Sequence, residues 1–329
     1  MIIFDILRII AALMVFSIHL FIFVPQLPRS VCDVLTNGSY GVSIFFVMSG
    51  FLIFSSLERS KSLKEYYIKR VSRIIPAYYF IIAVGIVLWG CVFKIMPSDT
   101  YAHIGWLRYF FCLNTWLPSN DYGYWNNLWG LWTISCFVFF YIMAPFIKKV
   151  INNYNKSLVF MLVMIPASFV FSKAAQMFFT AVGAANPEML GVDNPVYSLN
   201  TFAMGICAWY AYREGRQKNF LKVLSVLLAG FIGINWYNRM LWGLLAALAI
   251  TVFTDFSIGN KKVVSGIKLL GRYSFDLYLV HLPVIEILDY FNVTGAPYLV
   301  MAVTRSVVCA VLLYHLVENP CAKLIKKLC

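Results

Sequence analysis

The sequence is poor in charged residues. Asp, Glu, Lys and Arg make up only 12% of its 329 residues, whereas soluble domains average about 25%. The shortage is greatest for the acids, because only 14 Asp and Glu residues accompany 27 Lys and Arg residues. Hydrophobic residues account for 61% of the chain, above the roughly 45–50% of soluble domains. These proportions exclude an ordinary soluble domain and predict a polytopic membrane protein.

The sequence also lacks the patterns of a metal site or an internal repeat. Its eight cysteines and four histidines form no CxxC pair and no combination at zinc-site spacing. We therefore predict no metal. No repeat of 20–50 residues is recognisable, which slightly disfavours a carrier, because many carriers are built from repeats.

Long apolar segments recur along the whole chain. A membrane-spanning helix needs about 20 apolar residues, and ten segments approach that length. These segments are 3–24, 40–57, 75–94, 125–147, 157–179, 196–212, 219–236, 239–256, 273–291 and 296–316. The aromatic segment 101–117 could be a further half-span or an interfacial helix. We expect an all-α fold in which residues 1–329 form a single transmembrane domain of about ten helices.

The basic residues are concentrated in alternate loops. With the N-terminus inside, most of the 27 Lys and Arg residues fall in loops on the inner side. Positive charge marks cytoplasmic loops, so both termini are predicted to be cytoplasmic. The formal net charge of +13 is then a topology signal in a protein surrounded by membrane lipid, and we predict no nucleic-acid partner.

The first apolar segment contains three ionisable residues, Asp5, Arg8 and His19. Such groups are costly inside a membrane, so a functional role is the default interpretation. Arg8 and His19 are eleven helical steps apart, which places them on nearly the same face and about 16 Å apart along the axis. Asp5 lies one turn before Arg8 and can pair with it.

Two further groups each allow a structural or a functional interpretation. Segment 38–53 is rich in small residues, including Ser49 and Gly50, which permit close helix packing or leave room for an extended ligand. Arg70 and Arg73 lie one helical turn apart in the second inner loop. They could form a stop-transfer cluster or a phosphate clamp, because guanidinium groups bind phosphate bidentately.

The other three histidines are His103, His281 and His315. His281 falls about halfway along the ninth apolar segment. A packing role is the more common interpretation for each of the three, although His281 also lies within a recognisable motif.

Five motifs occur in a characteristic order. They are residues 4–8 followed by His19, residues 41–53, residues 70–76, residues 271–281 and residues 317–320. Together they resemble the integral-membrane acyltransferase 3 family of bacterial carbohydrate O-acyltransferases. One departure is Phe137, which stands where the family usually carries Glu, so a role of that Glu cannot be transferred to this chain.

The resemblance implies an acyl-CoA donor, with acetyl-CoA expected, and a glycan or lipid-linked saccharide as acceptor. It also implies a multi-pass protein of the bacterial cytoplasmic membrane. The donor phosphates would meet Arg8, Arg70 and Arg73, and the pantetheine arm would run along the first helix beside Ser49 and Gly50.

His19 is expected to be the general base that takes the proton of the acceptor hydroxyl, or to form a transient acyl-imidazole. Asp5 would orient Arg8. His281, Ser49 or backbone N–H groups could stabilise the oxyanion. The rival interpretation is a transporter of a small carboxylate or a glycan lipid, because an intramembrane Arg and His also suit a substrate path.

Overall fold

The computed structural model describes residues 1–22, 29–93, 107–117, 128–184, 186–233 and 239–327. These residues are helical or lie in turns and short connections. The helices are α1 (Ile2–Ile22), α2 (Arg29–Thr36), α3 (Gly41–Arg59), α4 (Leu63–Gly85), α5 (Trp132–Val150), α6 (Tyr154–Ala181), α7 (Pro187–Val192), α8 (Leu199–Arg213), α9 (Gln217–Gly233), α10 (Arg239–Phe253), α11 (Lys261–Tyr290), α12 (Gly295–Leu313) and α13 (Asn319–Lys326). A π-helical stretch, Ile86–Val92, extends α4, and another, Tyr314–Glu318, joins α12 to α13. The prediction of an all-α fold is confirmed for the described part of the chain.

Six helical segments of the described residues are long and apolar enough to cross a membrane. They are Ile2–Phe21, Ser30–Arg59, Leu63–Val92, Trp132–Val150, Tyr154–Ala181 and Gly295–Lys326. The chain is therefore a multi-pass membrane protein. Each of the ten predicted apolar segments overlaps one helix, namely α1, α3 to α6 and α8 to α12. The crossing of the membrane by all ten stays a prediction, because α8, α9 and α10 have only 15, 17 and 15 residues and α11 is not among the six segments.

Two helices begin about twelve residues earlier than the apolar pattern indicates. α4 begins at Leu63, where the Ser62 side chain accepts a hydrogen bond from the Glu65 backbone N–H at 3.1 Å. α11 begins at Lys261, capped by the Asn260 side chain. Such caps bond the first N–H groups of a helix. The two helices can therefore begin among charged residues, where the hydropathy pattern predicts a loop. Arg70 and Arg73, expected in a loop, consequently lie within α4.

The segment 101–117 is described only from residue 107. A single helical turn at 107–110 is followed by turns up to 117. The described part is thus too short to be a membrane span, and His103 lies outside the described residues.

Glycines allow the central helices to touch through their backbones. Gly50 of α3 faces Gly205 of α8, and a Cβ atom on either glycine would overlap the backbone of the other helix. α1 lies against both α3 and α11. Its contact with α11 depends on Gly271, where an added Cβ would lie 2.9 Å from the Cβ of Asp5. These contacts fix the helices that carry the candidate site.

Candidate active site

A wide basic cavity opens at the end of the bundle where α1, α4, α11 and α13 meet. Its volume is about 1090 Å³. Nine cationic side chains line it, together with the acids Asp5, Glu65 and Glu318. The nine are Arg8, Lys61, Lys64, Lys69, Arg70, Arg73, Lys268, Arg272 and Lys326. We call this cavity the basic basin. Its charge suits a ligand that carries several phosphates.

Three of the four basin arginines, Arg8, Arg70 and Arg73, have different supports. Arg8 forms an ion pair with Asp5 at 2.9 Å, as its spacing predicts. Arg70 donates to the Leu52 carbonyl at 3.1 Å, and its guanidinium lies 5.7 Å from the ring centroids of both Tyr66 and Tyr141. In the described part of the chain, no carboxylate oxygen lies within 4.0 Å of Arg73.

A narrow second cavity continues from the same three arginines. Its volume is about 80 Å³, and the rest of its wall comes from α3, α4, α5 and α11. That wall is mostly apolar, with the hydroxyls of Ser49, Ser274 and Tyr141 as polar exceptions. Phe137 also lines it, so the departure from the family pattern makes this wall more apolar. We call this cavity the slot.

Farther along α1, His19 contacts His281 of α11. The Nδ1 atom of His19 lies 2.9 Å from the Nε2 atom of His281. The two residues are 8% and 1% exposed, and the edge of the Phe16 ring packs against His281 at a centroid distance of 6.0 Å. The sequence predicts neither this contact nor its geometry, although it singles out both residues.

The hydrogen bonds around the two imidazoles assign their protons. The Nδ1 atom of His281 lies 2.7 Å from the Tyr278 carbonyl oxygen and 3.2 Å from that of Leu277. Carbonyl oxygens only accept, so this Nδ1 carries the proton, and in a neutral imidazole Nε2 is then an acceptor. The Nε2 atom of His281 can therefore accept a hydrogen bond from Nδ1 of His19. In a neutral His19 that makes this bond, Nε2 is the unprotonated nitrogen.

Of the remaining predicted site residues, some line the candidate site and others lie outside it. Ser49 lines the slot, whereas Gly50 lies on another face of α3 in contact with α8. The position of Gly50 fits the packing interpretation better than donor binding. His315 contacts the Tyr273 hydroxyl at 3.0 Å and is exposed, away from the His19–His281 contact.

Asp276 and Glu318 also belong to this region, although the five sequence motifs predict no role for either residue. Asp276 is fully buried in α11, and Glu318 lines the basin. The signal for Asp276 is present in the sequence, because an acid inside an apolar segment favours a functional role. The signal for Glu318 is weaker, since its position at the end of the tenth apolar segment resembles a loop residue.

Comparison with known proteins identifies the family. A family model described as an acyltransferase domain matches residues 1–315. Acyltransferase MdmB of Streptomyces mycarofaciens is 25% identical over an alignment that covers 97% of this chain and 91% of the relative. Nodulation protein 10 of Rhizobium leguminosarum bv. viciae is 26% identical, with coverages of 98% and 93%.

A third relative is longer. O-acetyltransferase OatA of Staphylococcus aureus is 23% identical over 88% of this chain but only 53% of the relative. No solved structure matches the chain. The family match covers nearly the whole sequence and agrees with the resemblance of the five motifs. The chain therefore belongs to the acyltransferase 3 family and is a multi-pass membrane acyltransferase.

Proposed function

We propose that this protein transfers an acyl group, expected to be acetyl, from cytoplasmic acyl-CoA to a hydroxyl group of a cell-surface or lipid-linked glycan. The observation that carries the proposal is the placement of two sites along α1. A basic basin lies at Arg8, and a buried histidine pair lies about 16 Å farther along the same helix face. The printed name of one relative, an O-acetyltransferase, supports acetyl transfer to oxygen.

The two cavities suit the two chemical halves of coenzyme A. Its nucleotide end carries several phosphates, which the guanidinium groups of Arg8, Arg70 and Arg73 can bind by charge-assisted hydrogen bonds. Its pantetheine arm is long, narrow and uncharged, and the slot has the matching character. Ser49 and Ser274 could bond the amides of the arm. The thioester at the end of the arm would then point toward the histidine pair.

The histidine pair supports general-base catalysis. The Nε2 atom of His19 takes the proton of the acceptor hydroxyl while the hydroxyl oxygen attacks the thioester carbonyl carbon. The carbon–sulfur bond then breaks, and the coenzyme A thiolate leaves and takes up the proton. A transient acyl group on the same Nε2 is the alternative route. Because His281 accepts a hydrogen bond from His19, its role in this tautomer is to orient His19 rather than to donate to the oxyanion.

The proposed topology would bring donor and acceptor to opposite ends of the bundle. We propose that ten helices cross the bacterial cytoplasmic membrane and that both termini are cytoplasmic, as the basic loops predict. Arg8 is close to the beginning of α1, so the basin would face the cytoplasm, where acyl-CoA occurs. His19, near the other end of α1, would meet an acceptor that arrives from the outer side.

The proposal is tested with purified protein in lipid nanodiscs and radiolabelled acetyl-CoA. Loss of the thioester should depend on His19, and His19→Ala should abolish transfer although the variant still inserts and binds coenzyme A. Mass spectrometry of cell-surface polysaccharides, with and without the gene, should show a difference of one acyl unit. Normal product from His19→Ala would refute the role of His19. Substrate flux in proteoliposomes without acyl transfer would favour the transporter interpretation instead.

A further inference from the structure

A fully buried carboxyl group, that of Asp276, meets the half-buried carboxyl group of Glu318 beside the basic basin. Asp276 of α11 is 0% exposed, and the carboxyls of Asp276 and Glu318 lie within hydrogen-bonding reach of each other. Neither Asp276 carboxylate oxygen, nor the Oε2 atom of Glu318, accepts a hydrogen bond from an N–H or O–H donor of the described residues. Buried oxygens of this kind are costly unless they are paired.

One proton shared by the two carboxyl groups removes the free-energy cost of leaving these buried oxygens unpaired. Two carboxylates in contact in a medium of low dielectric cannot both be ionised, so one keeps its proton and donates to the other. The pair then has a donor for one of its buried oxygens and retains one negative charge. The charged groups that act on the pair from the neighbouring helices are Arg73 of α4 and Lys326 of α13.

Of the three arginines that line both the basin and the slot, Arg73 is the one that needs a counter-charge from this side. Arg8 has Asp5, and Arg70 has a carbonyl and two aromatic rings, whereas Arg73 has no carboxylate of the described chain within 4.0 Å. The positive charge of Arg8 also acts on Arg73. α4, which carries Arg73, packs against both α11 and the Tyr314–Glu318 stretch. The negative charge of the carboxyl pair therefore attracts Arg73, whereas the positive charge of Arg8 repels it.

We propose that Asp276 and Glu318 share one proton and carry a single negative charge, and that this charge positions the Arg73 guanidinium for the phosphates of the donor. Both acids are positioning residues, since they act through Arg73. The pair belongs to the donor site of the proposed function, on which the inference rests. The π-helical stretch that ends at Glu318 brings the glutamate to Asp276, and such bulges are frequent at functional sites.

The shared proton is measured by infrared difference spectroscopy of the protein in nanodiscs. A protonated carboxyl has a C=O band that is separate from the carboxylate bands and shifts in D2O. The band is expected in the wild type and should disappear in Asp276→Asn and in Glu318→Gln, because the remaining acid is then ionised. Absence of the band from the wild type, or its persistence in both single variants, would overturn the proposal.

The action through Arg73 is measured by calorimetric titration with coenzyme A. Each single amide variant keeps one negative charge and a hydrogen bond, so affinity should fall by no more than about threefold. The Asp276→Asn/Glu318→Gln double variant loses the charge, and affinity should fall about tenfold. Glu58→Gln is the matched control, because Glu58 pairs with Arg213 in an exposed ion pair and its loss should change affinity less than about twofold.

A double-mutant cycle separates positioning from a general structural role. In an Arg73→Gln background, the same double amide substitution should cost less than about twofold further, because the pair acts through Arg73. A full tenfold loss in that background, tighter binding by the double variant, or single variants as weak as the double would each overturn the proposal. If the double variant does not insert into the membrane, the infrared band and the coenzyme A affinities of the single variants test the proposal instead. If the wild type binds no coenzyme A, the donor assignment fails, while the infrared result still tests the shared proton.

Discussion

The basic basin and the histidine pair, which lie toward the two ends of α1, differ in charge, width and burial. The basin is wide and densely charged, and its arginines are held by an ion pair, a carbonyl and aromatic rings. The histidine pair is buried, uncharged in its assigned tautomers, and held by hydrogen bonds to backbone carbonyls. Under the proposed function, the basin would supply binding energy and the histidines would supply chemistry. Variants of the two regions should therefore change different kinetic constants.

The largest expected effect is that of His19→Ala. Loss of a general base costs roughly a thousandfold in rate, so kcat should fall by about that factor while the affinity for coenzyme A, measured by calorimetry, stays near that of the wild type. His315→Ala is the matched control, since His315 is an exposed histidine bonded to Tyr273. A similar loss in both variants would remove the special role of His19.

His281→Ala should have the second largest effect. Without its acceptor nitrogen, His19 loses the hydrogen bond that fixes its tautomer and orientation, and kcat should fall about a hundredfold with little change in KM. His281→Gln retains a carbonyl oxygen that can accept from His19, and should lose less activity than His281→Ala. If instead KM rises and kcat is unchanged, the histidine pair participates in binding and the division between the two regions breaks down.

Arg70→Gln should raise KM for acetyl-CoA by about tenfold with kcat nearly constant, because it removes a charge-assisted hydrogen bond made equally in ground and transition states. Arg70→Lys should recover only part of the affinity, since a lysine lacks the planar fork of a guanidinium. Steady-state kinetics at two salt concentrations measure both effects. Lys156→Gln, which removes an exposed charge on α6, is the control; an equal rise in KM there would mean that only net charge matters.

Ser49→Ala should have the smallest effect, because a neutral hydrogen bond to the donor arm is worth about 1 kcal/mol. KM should rise by only a few fold and kcat should be unchanged. Ser306→Ala, which alters a buried serine of α12, serves as the control. A change confined to kcat would place Ser49 at the reacting carbonyl, and the boundary between the two regions would then lie inside the slot.

The helices and most of the site follow from simple sequence rules. The ten apolar segments locate ten helices, and the ionisable residues of the first segment locate both the basin and the histidine pair. Hydropathy could not predict the charged beginnings of α4 and α11, because capping by Ser62 and Asn260, rather than apolarity, determines where those helices start.

Contacts between distant segments could not be predicted from the sequence. The 2.9 Å contact of His19 with His281 depends on how α11 crosses α1 at Gly271, and no local pattern encodes that crossing. The same limit applies to Asp276 and Glu318, which are 42 positions apart along the chain. The rule about intramembrane acids points to Asp276, but only the fold identifies its partner.

The backbone contact between Gly50 and Gly205 has a consequence for how the donor specificity of this protein could diverge. α3 and α8 meet there without any intervening side chain, so α3 cannot move closer to α8 to enlarge the slot. With the donor arm in the slot as proposed, a bulkier arm would have to be accommodated on the opposite wall, at Phe137 or Phe275. Substitutions that widen the slot should therefore be tolerated on α5 and α11, while α3 is held at a fixed distance from the arm by its contact with α8.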